Sequence, residues 1–273
     1  MPSLARVLAF AMLAGVIAGL GTAAFHATVS EPLVEQAIML EEMRGAAEAL
    51  PPPGPAGAPT TAVQAAVDHP HAAPVAREAQ RLGLWIGWIG LGVGWGGLLG
   101  SAYFLSARHL GGFASRGPRA LIGAAAWWTL ALMPALKYPA SPPGVGDPET
   151  IGLRLRYFAG LELMTALFVA LAVVVAIQLQ GSLGRRFGVP GSWALGAVIL
   201  LVASVTMYLG LPANPDEVDA PSALLAAFRR DSGIGLTLFW LLFTAAFVTL
   251  PLTRRLRFAP AVADSAGLAQ RAA

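Results

Sequence analysis

Apolar residues in this chain are grouped into long runs separated by short polar stretches. A helix needs about 20 apolar residues to cross a hydrocarbon core of roughly 30 Å. Six runs reach or approach that length, which predicts an all-α polytopic membrane bundle of about six transmembrane helices: Val7–Val29, Leu84–Ala107, Ala120–Leu136, Tyr157–Gln180, Ser192–Leu211 and Ile234–Leu252. The third run is the shortest and contains Pro134, so we expect it to kink or stop early. A five-span arrangement, with this run re-entrant, stays open.

The polar stretches divide the chain into four parts. Residues 1–30 are expected to form a first transmembrane helix, because the run is longer than the apolar core of a signal peptide and no A-x-A site closes it. Residues 31–82 are expected to form an external loop, acidic at its start and then rich in Pro and Ala. Residues 83–256 are expected to form a bundle of the other five helices, with an irregular loop over 137–156. Residues 257–273 are expected to form a disordered tail.

Composition excludes several classes of protein. An apolar fraction of 56% and a charged fraction of 12% are typical of a chain that uses lipid as its solvent. The chain has no cysteine, so disulfides and thiolate metal sites are excluded. No basic patch is interleaved with aromatic residues, so no nucleic-acid partner is expected. No nucleophile–base set and no HExxH motif occur, so we do not expect an enzyme.

Charge predicts the orientation. With the N-terminus cytoplasmic, ten basic residues fall inside and eight outside, a small bias in the direction of the positive-inside rule. The acids are far more lopsided, because thirteen fall outside, Asp264 falls inside and Glu162 lies within a span. Acids hardly influence insertion. Their asymmetry therefore suggests an outer face that handles cations, with both termini in the cytoplasm.

A glycine-rich stretch, GLGVGWGGLLG, contains G-x-G-x-x-G within the second apolar run. No strand or βαβ unit surrounds it, so a dinucleotide loop is not supported. Glycines four residues apart instead predict close helix packing, at Gly90/Gly94, Gly92/Gly96 and Gly96/Gly100, with Gly15/Gly19 in the first run. A Walker A motif is absent, so ATP is not expected to bind by that route, and no permanently bound cofactor is expected.

Three places carry candidate metal ligands. Glu162 lies inside the fourth run, where an ionisable group is costly and usually functional, although it could instead pair with a nearby arginine. His26 lies near the outer end of the first run and could equally be structural. His69 and His71 flank a proline in the external loop beside Asp68, a weak site for Co²⁺, Ni²⁺ or Zn²⁺ or a chance pair.

The segment LKYPASPPGVGDPET separates the third and fourth runs. Proline leaves backbone carbonyls without amide partners, and irregular backbone at membrane depth survives only in protein or beside a watery cavity. We therefore predict an outer vestibule whose ligands include Asp147 and Glu149 together with Glu162 and His26. Its frame is predicted from Lys137, Tyr138, Pro139, Pro142 and Pro143, with the lysine and tyrosine tied to acidic neighbours. A plain stiff turn is the alternative.

Three passages carry a resemblance to a known family. They are the opening MLAGVIAGLGTAAF with the acidic stretch after it, DHPHAAPVAREAQRLGLW leading into the glycine-rich run, and PALKYPASPPGVGDPETIGLRLRYF. With APSALLAAFRRDSGIGLTLFW near the end, the chain resembles the CbtA family of cobalt transporter subunits, in the variant found in actinobacteria. The first loop of this chain holds fewer histidines than that of many members, which weakens metal capture by the loop.

The resemblance implies a plasma-membrane protein for Co²⁺ uptake that supplies cobalamin synthesis. It also implies a small partner, CbtB, with one span and a His-rich tail, while a homo-oligomer stays open. Three alternatives stand beside this interpretation. They are a membrane scaffold that only docks the metal-binding partner, an integral-membrane enzyme, and a transporter of a neutral or anionic solute.

Overall fold

Helices make up nearly the whole of the described chain. The computed structural model describes residues 2–48 and 76–251, apart from 108, 111, 113, 114, 144, 182, 216, 217 and 219. Of these residues 85% are helical and none forms a strand. The helices are α1 (Leu4–Phe25), α2 (Glu31–Glu48), α3 (Arg77–Ser106), α4 (Gly117–Trp127), α5 (Met133–Lys137), α6 (Ile151–Gln178), α7 (Leu183–Gly210) and α8 (Ser222–Thr249).

Six stretches within these ranges are long and apolar enough to cross a membrane, which confirms the all-α, six-helix prediction. The stretch Gly117–Lys137 is among the six and contains α4 and α5. Lipid offers the backbone no hydrogen bonds, so each apolar run must satisfy its own amides and carbonyls, and a helix does so locally. The five-span alternative is therefore not needed to account for the third run.

Two of these stretches contain a π-helical turn, at His26–Ser30 and at Trp128–Leu132. A proline follows each turn after one residue, namely Pro32 and Pro134. Proline lacks an amide and its ring crowds the carbonyl four residues earlier, so the preceding turn widens to five-residue hydrogen bonds. The kink expected at Pro134 thus takes the form of a widened turn, and the helix continues through it.

Helix boundaries differ from the predicted parts in three places. The first helix runs through the π turn into α2, so the acidic stretch prolongs the first span to Glu48. Helix α3 begins at Arg77 rather than near 83, and α8 begins at Ser222 rather than Ile234. Polar residues within these extensions made the hydropathy fall before the helices end. The rest of the external loop and the tail lie outside the described residues.

Helices α1 and α3 pack backbone against backbone. A Cβ added at Gly15 would meet the Gly92 carbonyl, and one added at Gly96 would meet Ala11 and Met12 backbone atoms at 2.5–2.7 Å. Gly19 faces Trp88 in the same way. The prediction of glycine-mediated packing is confirmed for the Gly92/Gly96/Gly100 stripe. Gly90 and Gly94 lie on the opposite face of α3, where a Cβ would meet no atom of the described residues within 4 Å, so this pair packs against no helix in that part of the chain.

Helices α1, α3, α4 and α8 form a four-helix core. In it α8 packs against α1 and α4, and α1 packs against α3. Its aromatic centre consists of Phe239, Trp240, Phe243 and Phe247 on α8, with Tyr103 edge-on to Phe247. Arg119 is 5% exposed and donates from Nη1 to the carbonyls of Phe247 and Leu250, at 2.8 and 2.9 Å. A cation at a helix C-terminus satisfies its orphan carbonyls and its dipole.

Helices α6 and α7 form a hairpin that packs mainly on itself. A smaller apolar cluster of Met133, Leu161 and Met207 joins this hairpin to α5, and the Trp128 indole donates to the Ser204 hydroxyl at 3.1 Å. Gly196 of α7 closely approaches Ala172 of α6. The hairpin therefore touches the four-helix core along a limited line beside the second π turn, which leaves space beside that line.

Candidate functional site

A cavity of about 390 Å³ lies between the four-helix core and the hairpin. Its walls come from α3, the second π turn, α5, α6 and α8, and aromatic rings dominate them: Trp88, Trp95, Phe158, Phe239 and Trp240. Residues 138–140 of the irregular segment close one end. That end carries the N-termini of α6 and α8 and is the outer end in the predicted topology. Of the ligands predicted for the vestibule, Glu162 lines this cavity, whereas His26, Asp147 and Glu149 do not.

Two charged side chains line this cavity, Glu162 from α6 and Arg229 from α8. Both are half-buried. Neither makes a hydrogen bond or an ion pair with any residue that the structure describes, and the Arg229 Nε is buried without a partner there. Glu162 lies roughly 16 Å along α6 from its first residue at 1.5 Å per residue, which places its carboxylate at membrane depth.

The irregular segment is fixed to the end of α7, not to acids. Lys137 Nζ donates to the carbonyls of Tyr208 and Leu211 at 2.8 and 2.7 Å, and the Tyr138 hydroxyl donates to Pro212 O at 2.9 Å. The expected contacts of these two side chains with acidic neighbours were wrong, because carbonyls left over at a helix C-terminus attract the donors instead. Burial, and then the nearby Tyr157, raises the pKa of the Tyr138 phenol.

Of the three predicted prolines, Pro139 lines the cavity, whereas Pro142 and Pro143 do not. Pro142 is buried and Pro143 exposed within the connection to α6. Pro139 therefore forms part of the cavity wall, whereas Pro142 and Pro143 restrict the backbone of the connection to α6.

Asp147 and Glu149 lie at the start of α6, away from the cavity lining. The Asp147 carboxylate accepts from the Glu149 amide at 2.8 Å and so caps the 3₁₀ turn Pro148–Thr150. Thirteen residues of helical rise separate Glu149 from Glu162, roughly 20 Å along the axis. The structure does not bring these carboxylates together within the reach of one ion.

His26 sits on the first π turn, behind Trp88 as seen from the cavity. Its ring stacks on Trp88 with centroids 5.2 Å apart, its Nδ1 lies 2.8 Å from the Ser30 hydroxyl, and its outer edge touches Gly235. The Asp231 carboxylate, one turn before Gly235 on α8, is 4% exposed. Arg230 Nε pairs with Asp231 at 2.9 Å. The widened turn thus directs His26 towards α8 rather than into the cavity.

Two charged residues of this region were missed from the sequence, Arg229 and Asp231. The run FRRDS interrupts the apolar pattern, so the predicted span Ile234–Leu252 begins after both residues. The structure corrects this, since α8 begins at Ser222, about three turns before Ile234, and carries both within the bundle. The apolar residues of SALLAAF just before them were a usable signal, because they continue the helical spacing upstream of the charges.

Arginines pair with two of the acids at the start of α2. Glu31 accepts from Arg77 and Arg81 at 2.9 and 2.8 Å, and Arg81 also reaches Glu35 at 2.7 Å. These pairs join the start of α2 to the start of α3. Glu162 is different, because no arginine or lysine pairs with it in the described chain.

Within the described residues, no group of three or more His, Cys, Asp or Glu is arranged to hold a metal ion. The predicted loop ligands His69 and His71 lie outside those residues. Any ion in the cavity would therefore find one protein carboxylate, Glu162, and neutral oxygens such as the Ser232 hydroxyl.

Comparison with known proteins gives one match. The family described as "Probable cobalt transporter subunit (CbtA)" matches residues 4–251, most of the chain and every described transmembrane stretch. No curated protein and no solved structure matches.

Proposed function

Because the chain belongs to the CbtA family of probable cobalt transporter subunits, we propose that it takes part in uptake of Co²⁺ through the cavity beside Glu162. The chain is a multi-pass membrane protein. A transporter subunit of this kind is generally not an enzyme. We further propose a plasma-membrane location with both termini cytoplasmic, which turns the cavity end formed by residues 138–140 outward.

The observation that carries the proposal is Glu162, a carboxylate at membrane depth that lines a cavity and has no partner in the described chain. Ionisable groups inside a bilayer are costly and mark the pathways of ions and substrates. A carboxylate oxygen is also a suitable ligand for a divalent first-row metal. A purely structural acid would be expected to hold a hydrogen-bond partner, as Asp231 does with Arg230.

The outer acids fit the same proposal as an approach to the cavity. Asp147 and Glu149 lie at the outer end of α6, where they would raise the local concentration of cations without binding the ion together with Glu162. His69 and His71 would add a weak capture site on the loop. His26 would act behind Trp88, close to the lining but outside it.

The proposal extends to partners and to metabolism. A small His-rich single-span subunit of the CbtB type would deliver or accept the ion, and the imported Co²⁺ would supply cobalamin synthesis. Co²⁺ is here the cargo, and no permanently bound cofactor is proposed.

The test is uptake of ⁵⁷Co²⁺ by cells that express the chain with its genomic neighbours. Glu162→Gln removes the charge with little change of shape, and we expect uptake to fall by about tenfold or more, the effect of losing one charged ligand. Glu42→Gln is the matched control, because this exposed acid of α2 neither lines the cavity nor lies at the end of α6 with Asp147 and Glu149. Unchanged uptake in Glu162→Gln, with equal protein in the membrane, would refute the role of the cavity.

A second candidate is a scaffold that docks a metal-binding partner without transporting by itself. It is favoured by the outward face of α3, where a Cβ at Gly83, Gly87, Gly90 or Gly94 would meet nothing within 4 Å. Small residues at this spacing suit close contact with another helix. Loss of all uptake without the partner, together with no Co²⁺ bound by the purified chain, would select this candidate.

A further inference from the structure

The cavity is large for a bare ion. One water occupies about 30 Å³ of liquid, so an ion with six waters fills roughly 180 Å³, less than half of the 390 Å³ available. Cavities of several hundred Å³ with mostly apolar walls and a few polar groups are typical of sites for small organic molecules. Three indoles, from Trp88, Trp95 and Trp240, line this one.

The protein supplies too few ligands for a bare ion. Divalent first-row metals take four to six ligands in their usual geometries. Glu162 is the one carboxylate in the lining, and the described residues hold no cluster of three His, Cys, Asp or Glu. The remaining ligands must arrive with the metal.

Arg229 points to the nature of those ligands. A guanidinium in the same low-dielectric cavity repels a bare dication and cancels the charge of Glu162. It suits an anion, because its planar fork of donors matches a carboxylate in two hydrogen bonds. Arg229 lines the cavity, and its Nε has no acceptor in the described chain, so no described group of the protein holds that nitrogen in an ion pair.

We propose that the cavity accepts the metal as a small, overall neutral chelate with amino-acid-sized carboxylate ligands. Glu162 faces the metal or its amine ligands, Arg229 binds a carboxylate of the chelate, and the indoles pack against its carbon atoms. A neutral complex matches the balanced charges of the cavity and avoids the penalty of leaving a net charge in it. This inference deepens the proposed function and rests on it.

The test compares three forms of ⁵⁷Co²⁺ in vesicles that carry the chain with its genomic neighbours. The forms are the ion in a non-coordinating buffer, the ion with excess ³H-labelled L-histidine, and the ion with ethylenediamine, which offers amines but no carboxylate. We expect histidine to raise ⁵⁷Co uptake about tenfold and to enter with the metal in fixed ratio. Ethylenediamine is expected to give no increase.

Variants test the role of the guanidinium. Arg229→Gln is expected to remove the histidine-dependent increase, about tenfold, the effect of losing a charge-assisted hydrogen bond. Arg229→Lys keeps the charge but not the fork and is expected to restore only part of it. Arg156→Gln, on an exposed arginine of α6 outside the lining, is the matched control.

The outcomes separate the two proposals. Equal ⁵⁷Co uptake with and without histidine, with no ³H entering, overturns the chelate inference and leaves cobalt uptake intact. Entry of ³H-histidine at the same rate without cobalt also overturns it, in favour of a zwitterion site. No ⁵⁷Co uptake in any form refutes the proposed function itself. The double-label ratio in the unaltered protein decides even if Arg229→Gln fails to fold.

Discussion

Two interfaces of the bundle differ in how they meet. Between α1 and α3, glycines bring two backbones into direct contact, and the space for a single methyl group is missing at Gly15 and Gly92. Between the four-helix core and the α6–α7 hairpin, large aromatic rings keep the helices apart and enclose 390 Å³. Lipid drives neither contact, so the size of the side chains at each interface decides whether it closes. The first interface is therefore fixed, and the second can admit a ligand.

The largest expected effect comes from a methyl-bearing residue at the closed interface. Gly92→Val should destabilise the protein by more than about 3 kcal/mol, because the new side chain must push α1 away along its length. Thermal unfolding in detergent, followed by size-exclusion chromatography, measures it.

Gly94→Val is the control, since the same substitution two residues farther along α3 enters open space. If both variants unfold alike, helix propensity rather than packing is responsible, and the contrast between the two interfaces fails.

A smaller loss is expected where Arg119 binds the C-terminal end of α8. Arg119→Met removes both hydrogen bonds to the end of α8 and should lower the free energy of unfolding by about 2–3 kcal/mol, the range for charged hydrogen bonds. Chemical denaturation in detergent would measure the change. Arg116→Met removes an exposed arginine nearby and should be silent; a comparable loss there would attribute the effect to overall charge.

The hydrogen bonds of Lys137 at the C-terminal end of α7 are expected to contribute less to stability than those of Arg119. Lys137→Met frees two carbonyls at the end of α7, but the site is half-exposed and water can replace the ammonium. We expect a loss of about 1–2 kcal/mol. Lys137→Arg should recover most of it. Failure of arginine to do so would show that the length of the side chain matters more than its charge.

The smallest change in stability is expected inside the cavity. Glu162→Gln breaks no hydrogen bond or ion pair of the described chain, so the free energy of unfolding should change by less than about 1 kcal/mol, although we expect uptake to fall about tenfold or more. The same thermal unfolding assay gives the comparison with Gly92→Val. A fall of more than about 2 kcal/mol would reveal a structural role for the carboxylate and weaken its assignment to a ligand.

Much of the helix pattern could be read from the chain. The six apolar runs and the glycine spacing of α3 predicted spans and close packing, and Pro134 predicted a local break. Pro32 could have predicted the widened turn at His26–Ser30 in the same way. It lies just beyond the predicted span Val7–Val29, so no break was expected there. The charged run at Arg229–Asp231 was misplaced because hydropathy cannot distinguish a polar loop from a helix whose charges face the protein.

The candidate site was predicted only in part. Glu162 was identified because a carboxylate in an apolar run is expensive wherever its helix faces. Its separation from Asp147 and Glu149 follows from helical rise and could have been computed once α6 was known to begin at Ile151. The position of Arg229 opposite Glu162 could not, because it depends on how α8 packs against α6 across the cavity.

The sequence by itself determined that this protein is a bundle of membrane helices, since lipid forces each long apolar run to satisfy its own backbone. Pro32 and Pro134 mark the two turns that widen, but Pro190 lies inside α7 without a widened turn beside it. Only the tertiary structure decided which of two glycine stripes on α3 became an interface and which charges share a cavity. Lipid is as apolar as a helix surface, so a helix face that meets lipid and one that meets another helix have the same hydropathy. Only the shapes of the packed side chains distinguish the two faces.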